Sequence, residues 1–147
     1  MYRTIVAMRF RALWRRIGAD EFDLAVAQAA PGMRFTFVGD IPLGTSVTGT
    51  DAFRAWFRQL DELFPGIHLE LQDVIVKGWP WNTTVAARLH ITAELQDETA
   101  YQNHAVQWVR MRWFKMTDDW VIEDTVALAA ACSVQSAARI SPERKTG

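Results

Sequence analysis

The sequence predicts an α+β fold in which helices come first and a curved sheet follows. Two observations carry that expectation. Most apolar residues up to Phe64 recur at three- and four-residue steps, whereas from His68 onward they alternate, which is the period of a strand. The alternating segments are long and are joined by only a few turn residues, and connections that short imply an antiparallel meander.

The elements follow in order. Residues 1–19 carry Arg3, Arg9, Arg11, Arg15 and Arg16 and no acid, a bias shared with organelle transit peptides, but they lack the serine content of such peptides. Ile5, Met8, Phe10, Leu13, Trp14 and Ile17 recur mostly at helical spacing, so the segment reads as a first amphipathic helix that stops near Gly18. Asp20 can cap a second helix, with Phe22, Leu24, Ala25, Val26 and Ala29 as its apolar contacts and Pro31-Gly32 as its end. Residues 33–38 alternate and are aromatic, a short strand, and residues 39–44 form a turn-rich loop. Thr50 or Asp51 caps a third helix carrying Phe53, Trp56, Phe57, Leu60, Leu63 and Phe64, which Pro65-Gly66 closes.

Beyond Gly66 strands are expected at 68–76, 83–95, 101–116 and 120–128, with turns at 78–81, 96–99 and 117–119. Residues 1–135 make one domain, and 136–147 form a polar C-terminal tail.

Composition narrows the function classes. A chain of 147 residues that is 50% hydrophobic and 22% charged folds around a core of its own. A net charge of −1 gives no support to bulk nucleic-acid or polybasic membrane binding. Cys132 is the single cysteine, so no internal disulfide forms, and no Cys/His spacing suggests a metal site. There is no nucleotide fingerprint, so no cofactor is expected. No apolar run reaches the ~18 residues of a membrane span. Without a secretory signal the default location is the cytoplasm, and Asn82-Thr83-Thr84 is then an accidental sequon.

The element order resembles the NTF2-like superfamily, and particular segments carry the likeness. Ile17-Gly18-Ala19-Asp20 looks like the break between the family's first two helices. Phe37-Val38-Gly39-Asp40-Ile41-Pro42-Leu43-Gly44, then Thr48-Gly49-Thr50-Asp51-Ala52-Phe53, resembles the strand, loop and helix start of SnoaL-like members. Tyr101-Gln102-Asn103, Arg110-Met111-Arg112-Trp113 and Trp120-Val121-Ile122-Glu123-Asp124-Thr125 resemble their closing hairpin. The resemblance covers residues 4–132. It implies a cone of three N-terminal helices packed on a curved, mostly antiparallel mixed sheet that encloses a pocket. Such domains include isomerases, cyclases, hydrolases and pure binding modules, so fold alone does not settle activity.

A bent sheet wrapped by helices leaves a cavity suited to a small, largely apolar molecule. Trp14, Trp56 and Phe57 are the expected wall opposite the sheet, with core packing as the competing reading. Counting back from the 96–99 turn, the family's cavity-facing positions fall on Arg88, His90, Asn103 and Gln107, with Tyr101 on the same face as Asn103. His90 can act as a general base near neutral pH, or be a satisfied structural group. Arg88-Leu89-His90 resembles the Arg-x-Asp segment of limonene-epoxide-hydrolase-type members, with histidine in place of the aspartate.

Asp40 sits where ketosteroid-isomerase-like members carry a proton-shuttling aspartate; capping its own turn is the alternative. The tyrosine and protonated acid of that family's oxyanion hole are missing, the acid position falling near Gln107. Asp124 shares strand parity with Ile122, Val126 and Leu128 and is expected to point inward as an acid/base group, while Glu123 points out. Arg15-Arg16 and Arg110/Arg112 read as solvated or interface side chains without the aromatic interleaving of a nucleic-acid surface.

Two functions are therefore weighed. One is a cofactor-independent isomerase, cyclase or hydrolase acting on a small apolar carbonyl or cyclic compound, polyketide- or terpenoid-like. Asp40, His90 and Asp124 would be its acid/base groups. The other is a non-catalytic ligand-binding or dimerisation module. A homodimer through the convex sheet face is expected in either case, since both faces of the long strands are rich in apolar residues.

Overall fold

The computed structural model describes residues 1–17 and 21–144. Its elements are α1 (Tyr2–Ile17), α2 (Asp23–Ala27), β1 (Ala29–Phe37), β2 (Thr45–Thr48), α3 (Thr50–Leu63), β3 (His68–Trp79), β4 (Asn82–Glu94), β5 (Ala100–Arg112), β6 (Lys115–Glu123) and α4 (Thr125–Arg144). The strands form one curved sheet ordered β2-β1-β6-β5-β4-β3, in which β1 and β6 run parallel and the other pairs antiparallel.

The helices bury one stripe each. In α1 it is Val6, Phe10, Trp14 and Ile17, at steps of four, four and three. Ile5 and Met8, expected among the apolar contacts, instead stand 43% and 64% exposed on the outer side. The break at Gly18 and the cap at Asp20 lie outside the described residues. In α3 the expected face of Phe53, Trp56, Phe57, Leu60 and Leu63 is buried against β1. Gly49, at φ +97°, occupies the cap position expected for Thr50 or Asp51. A left-handed entry of that kind favours glycine.

Several boundaries differ from the expectation, each for a local reason. The second helix ends at Ala27, because Ala29 already pairs with Met116, and β1 runs through Pro31-Gly32. The register shifts between Ala29 and Arg34, an irregularity of the kind where proline is tolerated within a sheet. A β1–β2 hairpin thus separates the second helix from the third, so the three helices do not form one N-terminal block. The last strand stops at Glu123, and a fourth helix takes residues 125–144, where a strand end and then a polar tail were expected. Gln135 docks that helix: its Nε2 donates to Leu63 O at 2.9 Å and its Oε1 accepts from Gln96 N at 2.8 Å. No helix among the described residues is long and apolar enough to cross a membrane.

The hairpin joining β5 and β6 turns at Trp113-Phe114, with Arg112 opposite Lys115, not at 117–119. The register changes between Arg110/Asp118 and Met111/Met116, so Thr117 is an extra residue on β6 and Asp118 and Asp119 lie within the strand. Both turn residues have positive φ, 50° and 66°, where two-residue hairpins favour Asn-Gly. Replacing the exposed one of the pair, Trp113→Asn, is expected to raise unfolding stability by roughly 1 kcal/mol through relief of that strain, while Phe114, which packs on Tyr2, is kept. A higher urea midpoint at unchanged denaturant slope would show it.

Candidate functional site

Between the inner face of the sheet and helices α1 and α3 lies a cavity of ≈ 50 Å³. Trp14, Trp56 and Phe57 form its helical wall, as the spacing of those residues predicts. Trp56 is held by an indole N–H donated to Leu43 O at 2.8 Å and by ring contacts with Phe35 and Phe37 at 4.7 and 5.2 Å between centroids. Leu89 and Ile91 of β4 and Val121 of β6 add an apolar floor. The expected hollow is present but narrow. A pocket that takes a small metabolite has about 300 Å³ or more, so the aromatic wall closes this one to such a molecule in the conformation described.

Three polar side chains face that apolar space: Gln107, Asp119 and Glu123. Gln107 Nε2 donates to Asp119 Oδ1 at 2.9 Å, and both residues are buried, at 6% and 3% exposure. Gln107 Oε1 is the buried side-chain atom left without a partner among the described residues. Burial pushes Asp119 up to about 7, against the lowering effect of the Gln107 hydrogen bond and with a further push from the charge of Asp118. Burial also pushes Glu123 up to about 7. The two acids stand four residues apart on one strand face, roughly 13 Å along the backbone, so they titrate as separate groups.

A second cluster supports Glu123. Asn103 Nδ2 donates to Glu123 Oε2 at 3.2 Å, to Tyr101 Oη at 2.8 Å and to Asp124 O at 3.0 Å, while Asn103 Oδ1 accepts from His104 N at 2.8 Å. Tyr101 stacks on Phe64 at 5.7 Å, and burial raises its hydroxyl pKa, so it stays protonated while its oxygen accepts from Asn103. Both residues lie on the buried side of β5, as expected, but Asn103 holds Glu123 while Tyr101 accepts from Asn103, and neither lines the cavity.

The remaining expected site residues lie elsewhere. β4 and β5 pair from Thr83/Met111 to Glu94/Ala100, which leaves a connection of five residues, 95–99. Counting from a four-residue turn moves the parity of β4 by one, and that is why Arg88 and His90 were expected inside. Ala87, Leu89 and Ile91 are the inward residues; Arg88 is exposed, and His90 stacks on His104 on the outer face at 5.0 Å. Asp124 is exposed, its Oδ1 accepting from Val126 N at 3.0 Å and Ala127 N at 3.3 Å at the start of α4. Asp40 is exposed in the loop after β1. The cavity lining contains none of Asp40, His90 and Asp124, so the convergence expected of them does not occur. Glu123, expected to point outward, faces in.

Asp119 is the residue that the sequence hid. Thr117-Asp118-Asp119 has turn composition, and the true turn, Trp113-Phe114, has none. Trp120 and Ile122 outside and Val121 inside are all apolar, so alternation on β6 does not mark its inner face.

A family model described as a SnoaL-like domain matches residues 10–119. The chain belongs to the SnoaL-like family. This SnoaL-like domain matches no curated protein by sequence. Its fold recurs in TerC, crystallised with polyporic acid, at a TM-score of 0.70 and 18% identity over 87% of this chain and 98% of that one. It recurs in PrhC from Penicillium brasilianum NBRC 6234, at 0.78 and 11% over 95% and 93% of the two chains. A protein described as a candidate polyketide cyclase from Bacillus cereus ATCC 10987 matches at 0.64 and 24%, over 88% and 78%. At these identities the likeness of the SnoaL-like domain to its neighbours is one of fold.

Proposed function

We propose that this SnoaL-like domain is a cofactor-independent enzyme that moves a proton on a small, largely apolar carbonyl or cyclic compound, polyketide- or terpenoid-like. The buried Asp119–Gln107 pair facing an aromatic-walled cavity carries the reading. A carboxyl group with a pKa near 7 is both a base and an acid at neutral pH, which is what transfer between a carbon and an adjacent oxygen requires. Ionised Asp119 takes a proton from the carbon beside a carbonyl, the C–H electrons pass to the carbonyl oxygen, and the protonated acid returns the proton at a second position. Gln107 Oε1 accepts from a hydroxyl or enol of the substrate and so orients it. The wall of Trp14, Trp56 and Phe57 has to move apart for the ring system, which it then shields from water.

The test does not require the natural substrate. In D2O the protein is incubated with cyclic β-diketones that carry a C–H beside the carbonyl, and deuterium uptake at that carbon is followed by NMR. Wild type is expected to accelerate exchange and Asp119→Asn to lose roughly 100-fold or more of that acceleration. Binding seen by tryptophan quenching without any accelerated exchange would leave a binding module and end the catalytic reading.

The reading includes a second copy of the chain on the outer sheet face. There Trp108 pairs across strands with Trp120 and Val106 with Ile122, and all four are 37–49% exposed. Trp108→Glu combined with Trp120→Glu is expected to convert a dimer to a monomer in sedimentation equilibrium. A wild-type monomer at micromolar concentration would remove this part of the proposal.

A further inference from the structure

We infer that the turn end of the sheet is a docking surface for an anionic phospholipid bilayer. The β3–β4 turn and the β5–β6 turn lie side by side there, tied by Trp113 N donating to Pro80 O at 2.6 Å. They display Trp79, Trp81 and Trp113 at 58%, 54% and 63% exposure. The rings form a row, 6.2 Å from Trp79 to Trp81 and 6.3 Å from Trp81 to Trp113. Contiguous exposed aromatics of this size mark an interaction site, unlike scattered single ones. The backbone is strained to hold them: Trp113 and Phe114 form the turn at positive φ, which bulky residues rarely adopt.

Charge decides what covers the row. Residues 1–9, 77–84 and 110–118 together carry six lysines and arginines and one acid, Asp118, in a chain whose net charge is −1. The near-neutral total, which argued against a polybasic surface, therefore hides a strong asymmetry. Two of those cations lie on the aromatics themselves, the Arg3 guanidinium 5.8 Å from the Trp79 ring and Arg9 4.7 Å from the Phe114 ring. Tryptophan seats at the headgroup level of a bilayer, and lysine and arginine around it are drawn to anionic lipid. A second copy fits less well, because a two-fold contact here sets like charges against each other. Single-stranded nucleic acid needs free ring faces, and Trp79 already stacks on Trp81 beneath Arg3.

The experiment is co-sedimentation of the full chain with phosphatidylcholine vesicles, with and without phosphatidylglycerol, alongside tryptophan emission. Binding to the phosphatidylglycerol vesicles alone is expected, with a blue shift and a decline as salt rises. Lys77→Gln and Arg112→Gln are each expected to lower partitioning roughly fivefold. The triple exchange of Trp79, Trp81 and Trp113 to Ser lowers it further, while Val126→Ser, at an exposed apolar site elsewhere, leaves it unchanged. Circular dichroism checks that the triple variant folds; if it does not, the two charge variants carry the test. No binding to either vesicle, or binding indifferent to all these changes, overturns the inference. So does tighter binding to a single-stranded oligonucleotide, or a change in oligomeric state caused by the triple exchange without lipid.

Discussion

Asp119→Asn is expected to make the fold more stable above neutral pH while removing the proposed chemistry. Asp119 titrates near 7 in the native chain and near its ordinary value of 3.8 once unfolded. Between those values the native state holds a proton that the unfolded state has lost. Its contribution to stability is thus fully present below about pH 4, falls as pH rises through 7, and is level above that. A shift of about three units corresponds to a burden on the order of 4 kcal/mol at alkaline pH. The introduced carboxamide carries no such charge and can hydrogen-bond to Gln107. Urea unfolding of wild type at about pH 4, 6 and 8 should show declining stability, and the variant a shallower decline.

Glu123→Gln is expected to remove a further part of the decline, because burial raises Glu123 in the same direction. The two effects should add, the groups being far enough apart not to share a partner. A wild type whose stability is flat from about pH 4 to 7 would mean that Asp119 is hydrated when ionised, and the proton-transfer proposal would lose its physical basis.

Trp56→Ala is expected to cost roughly 3–5 kcal/mol from lost packing alone. Its ring touches Phe35, Phe37 and Phe57, and its indole N–H is the donor to Leu43 O. Loss of that donor leaves a buried carbonyl unpaired, which adds about 1–3 kcal/mol. Against a typical total of about 5–15 kcal/mol, this is enough to bring the chain near its folding limit at room temperature. Trp56→Phe, which keeps an aromatic ring and loses the hydrogen bond, should cost about 1–3 kcal/mol and separates the two contributions. The alanine variant also enlarges the cavity, so benzene should raise its unfolding midpoint and leave that of wild type unchanged. Equal stability of the two variants would show that the ring is not packed as described.

The helical wall was legible before any coordinates. Phe53, Trp56, Phe57 and Leu60 repeat at the helical period, and a face that apolar has to be covered. The same holds for the meander, because short turns between long alternating segments leave an antiparallel arrangement as the available one. On β5, Gln107 and Asn103 were placed by counting the family's cavity-facing positions back from the 96–99 turn, and they share the buried face with Tyr101, Ala105 and Val109.

What failed was parity across connections. A fifth residue in the β4–β5 turn sends Arg88 and His90 to the outer face, and an extra residue at Thr117 with a turn at Trp113-Phe114 places Asp119 within a strand. Sequence by itself determined the α+β class, the succession of the first three helices and the long strands, the aromatic face of α3 and the family, since periodicity and turn chemistry are local properties; it missed β2 and α4. Only the tertiary structure decided which acid is buried. Strand register is set jointly by two chain segments and the turn between them, and a one-residue change exchanges the inside for the outside.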